Sequence, residues 1–382
     1  MILLLIISNG LIFLNGVWKT GFDILVEQDK IIDIKPTGTQ KDSLVADAGG
    51  GYITPGFIDI HIHGSHGSDV MDGDFYALNN ISTFLAGNGT TSFLATTVTS
   101  SIEATKKAVN NVSCYMKQND GKGAQVLGVH LEGPFINPLA KGAHEEKYII
   151  LPTLKSYTDI TEGSPDIIRL ITMAPELEGA FELAKYLKER NVTVSIGHTR
   201  ATYAKCLEGI KNGMTHSCHL YNAMSPLNHR EPGAVGALLD NDSITIELIA
   251  DLVHLHPAAL RLAVQAKGKN RTVLITDALS AAGVSDGLYE LGELAVYVKN
   301  GEARLKDGTL AGSTLTQNQA LINMVKIGIP SEDVITMLTE TPARVIGVDH
   351  YKGRLEKGYD ADINILDRDL KVKSTFVRGL RQ

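Results

Sequence analysis

Cysteine is scarce. The 382 residues contain three, Cys114, Cys206 and Cys218, far apart and without a CxxC pair. An odd, scattered set argues against a disulfide framework and for reduced thiols in the cytoplasm. A basic excess is also missing: 36 Lys and Arg face 43 Asp and Glu, for a net charge of −7. Without a basic stripe, nucleic acid and anionic membrane surfaces are not expected partners, and any anionic ligand must be recognised locally. The opening stretch MILLLIISNGLIFLNG resembles a secretory leader but lacks a positive n-region and a small-residue cleavage site. It predicts strands broken by Asn9-Gly10 and Asn15-Gly16 hairpin turns. No later apolar run is long enough to span a bilayer. No GxGxxG or GxxxxGK[ST] follows a strand, which weakens a nucleotide-binding fold, and neither GxSxG nor a Cys/His pair offers a covalent nucleophile.

What is present is an ordinary globular composition, 43% hydrophobic and 21% charged, without low-complexity segments or short repeats. Residues 1–53 read as a β-meander, with short β-rich runs at LLLIISN, LIFLN, FDILVEQ and KIIDIKP. The tail, residues 346–382, behaves alike through ADINILD and VKSTFVRG. Neither end has enough apolar surface for its own core. The economical arrangement is one small β-sandwich domain built from both termini.

Residues 54–345 alternate short apolar strands with helical patterns, the signature of βαβ units and a parallel sheet. Eight strand candidates are GFIDIHI, TSFLATT, VLGVHLE, IRLITMA, VTVSIGH, GMTHSCH, ITIELIAD and TVLITDA. The fold class is therefore α/β, a TIM-type (β/α)8 barrel, which takes about 250 residues. A doubly wound open sheet is the rival.

Active-site groups of such a barrel stand at the C-terminal ends of its strands. His61 and His63 end the first candidate, Glu132 the third, His198 the fifth, His219 the sixth and Asp277 the eighth. Residues i and i+2 of a strand share a face, so His61 and His63 can chelate one cation. Any one of these rings could be a satisfied interior histidine. A packed core would not leave all of them unpaired at one rim. Three His or carboxylate ligands and an open position describe a catalytic zinc-type site, and five or six suit two divalent ions. Asp277 reads as a metal ligand, a general base or a helix cap. His216 is expected to face away from His219, and His130 to lie deeper than Glu132 as a supporting or packing residue.

The stretches FIDIHIHG, GVHLEGPF, SIGHT, HLYNAM, ITDA and LAGSTLT occur in the order found in N-acetylglucosamine-6-phosphate deacetylases of the amidohydrolase superfamily, which this chain resembles nearly end to end. HLEGPF with KGAH, and HLYNAMSPLNHREPG, are the specific signatures. The resemblance implies hydrolysis of the N-acetyl group of N-acetylglucosamine 6-phosphate to glucosamine 6-phosphate and acetate. It implies one or two divalent ions, zinc first, with iron, manganese or cobalt as alternatives. Glu132, His198 and His219 correspond to the ligands of one metal, and His61 and His63 to those of a second. Asp277 corresponds to the catalytic acid/base, and His254 to a histidine at the scissile carbonyl. His144 corresponds to a histidine beside the sugar, Asn222 and Ala223 to the loop cradling the phosphate, and Arg230 to an arginine that reaches the phosphate of a neighbouring subunit, which implies a homodimer. LAGSTLT would start a helix with Ser or Thr, either facing substrate with its free N–H groups or simply capped. Alternatives are an amidohydrolase acting on N-acetylgalactosamine 6-phosphate or an N-acyl amino acid, and a catalytically silent barrel scaffold.

Overall fold

The computed structural model describes residues 4–38, 44–118 and 121–382. The start of the first apolar run, residues 1–3, lies outside the described residues.

All eight strand candidates form one parallel sheet. They are β1 (Phe57–Ile62), β2 (Thr90–Thr97), β3 (Gln125–Glu132), β4 (Ile168–Met173), β5 (Thr193–Ile196), β6 (His216–Ser217), β7 (Thr245–Ile249) and β8 (Thr272–Ile275). Each neighbours the next in chain order. The seam between β8 and β1 is closed beyond the strands, where the His63 N–H donates to the Ala278 carbonyl at 2.9 Å. Below it the Asp59 carboxylate accepts from the Thr276 hydroxyl at 2.6 Å. The doubly wound alternative is thereby excluded. Both faces of the sheet are covered, so its strands read as apolar runs rather than alternating ones; β2 is buried at every position.

Helices α1 (Phe75–Gly87), α2 (Ile102–Gln118), α3 (Leu154–Thr161), α4 (Ala180–Lys188), α5 (Tyr203–Lys211), α6 (Gly233–Asp240) and α7 (Pro257–Lys267) alternate with the strands. Their ends are chemically marked. Asp74, Thr153 and Thr202 cap α1, α3 and α5 through side-chain oxygens, and His256 caps α7 with Pro257 in its first turn. On α4, Leu183, Ala184 and Leu187 recur at helical spacing on the buried side.

The termini form two further sheets. One orders Lys30–Pro36, Phe22–Glu27, Leu5–Ser8 and Leu44–Asp47; the other orders Leu380–Arg381, Val372–Val377, Ile363–Leu366, Tyr52–Pro55, Leu11–Leu14 and Val17–Lys19. Ile7, Ile24, Ile31, Ile53, Ile363 and Phe376 pack in one apolar cluster between them. This is the sandwich built from both ends of the chain. The meander reading is corrected. Asn15-Gly16 makes the expected hairpin, with Leu14 opposite Val17 and both turn residues at positive φ. Asn9-Gly10 instead carries the chain from one sheet to the other.

A three-stranded antiparallel insert that the sequence does not predict follows β8, Gly287–Leu291, Leu294–Lys299 and Glu302–Arg304. Helix α8 (Gln317–Lys326) follows.

Candidate active site

His61 lies on β1 and His63 one residue past its end. Their ring centroids are 5.3 Å apart, as side chains sharing a strand face should be. Glu132 is the last residue of β3. His198, His219 and Asp277 are not on strands; each follows two residues after β5, β6 or β8. By then the backbone has turned. His198 and Asp277 have φ of 44° and 50°, a region that L-residues seldom occupy and that clusters at functional sites. Asp277 is held there by its N–H, which donates to the His61 carbonyl at 2.9 Å, and by its carbonyl, which accepts from Ser313 N–H at 2.7 Å. Gly312 approaches the same carbonyl so closely that a Cβ would lie 2.9 Å from it.

Glu132 is the centre of the cluster. Its Oε1 lies 3.0 Å from His219 Nε2, 3.1 Å from His198 Nε2 and 3.5 Å from His61 Nε2. Its Oε2 lies 3.1 Å from His63 Nε2 and 3.5 Å from His144 Nε2. Asp277 Oδ1 lies 3.3 Å from His63 Nε2 and 3.5 Å from His61 Nε2. Burial works against ionisation of Glu132, but the charge of His61 and hydrogen bonds from His144 and His219 outweigh it and hold the carboxyl well below its usual range. Burial opposes ionisation of Asp277 too. His61 and His63 prevail there, and its pKa stands at about 2.

A divalent cation fits this donor set. His198 Nδ1 lies 2.9 Å from the Ala140 carbonyl, which assigns the ring proton to Nδ1 and leaves a lone pair on Nε2. That lone pair meets His219 Nε2 at 3.1 Å and Glu132 Oε1 at 3.1 Å. His61 Nε2 is buried without a hydrogen-bond partner among the described residues. Three sets each bring ligand atoms within 4.8 Å of one another: His61–His63–Asp277, Glu132–His144–His198 and His61–Glu132–Cys218. Nitrogen and oxygen lone pairs converging in this way make a divalent metal site.

A cavity of about 330 Å³ opens over the cluster. Its wall brings together His63, Glu132, His144, His198, His219, Asn222, Ala223, His254 and Asp277. His61 lies beneath, fully buried. His144 Nδ1 accepts from the Thr99 N–H at 3.2 Å, which turns Nε2 toward Glu132. Arg230 is not brought in: it is exposed on the loop before α6 and absent from the wall of its own chain's cavity. From LAGSTLT, Leu310 and Gly312 reach the wall. Thr316 caps α8 through its hydroxyl, so the helix start is the capped alternative.

Residues 52–381 match the amidohydrolase family. The chain belongs to that family. The N-acetylglucosamine-6-phosphate deacetylase of Bacillus subtilis (strain 168) is 41% identical over 330 residues, 86% of this chain and 83% of the relative. The crystal structure of N-acetylglucosamine-6-phosphate deacetylase from Pasteurella multocida superposes with a TM-score of 0.93 at 33% identity, covering 99% of both chains. A mutant N-acetyl-D-glucosamine-6-phosphate deacetylase from Mycobacterium smegmatis, in complex with N-acetyl-D-glucosamine-6-phosphate, gives a TM-score of 0.92 at 29% identity, over 100% of this chain and 99% of that one.

Two acidic neighbours of the site in this amidohydrolase, Glu247 and Asp251, are not among the residues expected from the sequence. Glu247, on β7, places Oε2 3.1 Å from His61 Nδ1 and Oε1 3.0 Å from His216 Nε2. His216 therefore does not face away from the centre; β6 ends at Ser217, so strand parity does not carry through to His219. Asp251 Oδ2 lies 2.6 Å from His254 Nδ1. Cys218 Sγ is buried 3.5 Å from Glu132 Oε1, and burial pushes its thiol pKa up. His130 stands edge-on to His61 at 4.6 Å and hydrogen-bonds the Thr172 hydroxyl at 2.8 Å.

Proposed function

We propose that this chain hydrolyses the acetamide of N-acetylglucosamine 6-phosphate to glucosamine 6-phosphate and acetate. The observation that carries the reading is Asp277, an ionised carboxylate on the cavity wall within 3.5 Å of both His61 and His63. The relatives supply the substrate class.

Glu132, His198 and His219 would hold one divalent ion and His61 and His63 a second. Bound there, such an ion supplies Lewis acidity, lowering the pKa of a water toward about 7 and polarising a carbonyl. Zinc is assigned first, since imidazole and carboxylate donors suit it; iron, manganese and cobalt accept the same set. Asp277 accepts the proton of the attacking water as the water oxygen bonds to the acetamide carbon. His254, anchored through Nδ1 to Asp251, presents its other ring nitrogen to the oxygen that gains charge. Asp277 then returns the proton to the amide nitrogen, and the C–N bond breaks. Water is consumed, acetate and the amine leave, and no covalent enzyme intermediate is needed.

Asn222 and Ala223 cradle the phosphate in this reading. Arg230, exposed on its own chain, serves the cavity of a second copy in a homodimer. Among the described residues no helix is long and apolar enough to cross a membrane, and the free thiols Cys114, Cys206 and Cys218 suit the cytoplasm.

The test is acetate release from N-acetylglucosamine 6-phosphate before and after chelation, with metal counted per chain. N-acetylgalactosamine 6-phosphate and N-acyl amino acids run alongside. Release that survives complete metal removal overturns the reading, as does preference for an N-acyl amino acid.

A further inference from the structure

The loop after β5 does more than deliver His198. Thr199 N–H donates to the Ala223 carbonyl at 3.0 Å, and Ser225 N–H returns a bond to the Thr199 carbonyl at 3.1 Å. This short bridge lays the segment carrying Arg200 alongside the segment carrying Ala223. Arg200 reaches the cavity wall, and among the described residues lining that cavity it is the only lysine or arginine.

The arginine is held from both sides. Its backbone N–H donates to Glu176 Oε1 at 2.7 Å, and its Nε donates to the Leu139 carbonyl at 3.0 Å. Glu176 is itself fixed by the Thr199 hydroxyl at 2.5 Å and the Asn137 amide at 2.7 Å. The terminal guanidinium nitrogens have no hydrogen bond or carboxylate within ion-pair distance among the described residues. An arginine oriented through Nε, with both terminal nitrogens unengaged at the edge of a cavity, offers a planar fork of donors to an incoming oxyanion.

We infer that Arg200 is a phosphate anchor supplied by the same chain as the metal ligands, and that it sets the preference for phosphorylated over unphosphorylated acetamido sugars. The inference rests on the reading of this cavity as a sugar-phosphate amidohydrolase site. It differs in consequence from the role given to Arg230. An anchor within the chain works without a second copy and leaves a preference for phosphate in an Arg230→Ala variant.

The experiment compares wild type, Arg200→Gln and Arg200→Lys on N-acetylglucosamine 6-phosphate and on N-acetylglucosamine, with inorganic phosphate as a competitive inhibitor of the latter. Losing a charge-assisted contact lowers kcat/KM for the phosphorylated sugar about tenfold or more. The loss falls chiefly on KM. The unphosphorylated sugar is turned over as before, and the inhibition constant of phosphate rises by a similar factor. Arg200→Lys, which keeps the charge and loses the fork, falls between. An unchanged ratio between the two sugars in Arg200→Gln overturns the inference while leaving the functional reading intact, and so does an equal loss on both. Absence of turnover of the phosphorylated sugar by wild type overturns the functional reading, and the anchor with it.

Discussion

Glu247 and His61 meet at 3.1 Å, carboxylate to Nδ1, inside the barrel and out of contact with solvent. The other oxygen of Glu247 holds His216 at 3.0 Å, so one carboxylate orients two imidazoles. Burial alone would drive this carboxyl toward its neutral form, yet the charge of His61 and the hydrogen bonds of both rings keep it ionised, well below the usual range. A carboxylate on the far nitrogen of a metal-binding histidine fixes its tautomer and raises its basicity. Glu247→Gln should therefore weaken metal retention about 10- to 100-fold. Competition with a chelator, followed by metal content per chain, checks this. Retention equal to wild type would show that His61 needs no such support.

Asp277 is the group whose removal should separate chemistry from architecture. Asp277→Asn keeps the volume and the backbone hydrogen bonds to His61 and Ser313 but cannot accept the proton of water. A positioned general base contributes about 10²–10⁴ in rate, and kcat should fall within that range while the unfolding midpoint stays near wild type. Its pKa of about 2 keeps the side chain ionised throughout the neutral range. Turnover near the wild-type level would remove Asp277 from the mechanism.

Lys352 tests the sandwich. Its ammonium is buried 2.6 Å from Asp362 and 2.8 Å from Asp360, and Asp360 also pairs with Lys30 from the N-terminal half at 2.5 Å. Removing one partner of such a buried group leaves uncompensated charge and costs about 3–5 kcal/mol. Lys352→Met should lower the unfolding midpoint accordingly, and adding Asp362→Asn should recover part of the loss. Burial lowers the lysine pKa, but the two carboxylates overcome that and raise it. The sign follows: the stabilisation is complete below the unfolded-state pKa near 10.5 and is lost as pH climbs through the higher folded value. An alkaline unfolding limb that is identical in wild type and Lys352→Met would contradict the pairing.

These residues show where sequence is informative and where it is not. His61, His63, Glu132, His198, His219 and Asp277 stand at or just past strands whose apolar runs and following loop residues are local signals, and the barrel rule converts those positions into one site. Glu247 and Asp251 carry no such mark. Each sits in or just after the apolar run of β7, and its partners are identifiable only once β1, β6 and the loop to α7 are in place. Asn9-Gly10 shows the limit of turn chemistry. Asn9 adopts the same positive φ as Asn15, yet one turn makes a hairpin and the other switches sheets. The dipeptide does not by itself fix the turn: Gly16 joins Asn15 at positive φ, as a type I′ hairpin requires, whereas Gly10 does not, and burial of Ile7 and Ile12 in the sandwich core decides where the next strand pairs.

Arg230 lies where a single chain has no use for it, and this permits a decisive test of a shared site. Arg230→Ala should raise KM for N-acetylglucosamine 6-phosphate and leave N-acetylglucosamine unaffected. Asp277→Asn should lose turnover with its Arg230 intact. Suppose both variants are unfolded and refolded together. A hybrid dimer then contains one cavity with its own Asp277 and, across the two-fold, the intact Arg230 of the other variant. Random pairing restores about a quarter of all cavities, since half of the dimers are hybrids with one sound site each. Activity of the mixture at low substrate should rise well above the mean of the two parents. A mixture that stays at that mean, with hybrid dimers demonstrated by differential tagging, would return Arg230 to the role of an exposed loop residue.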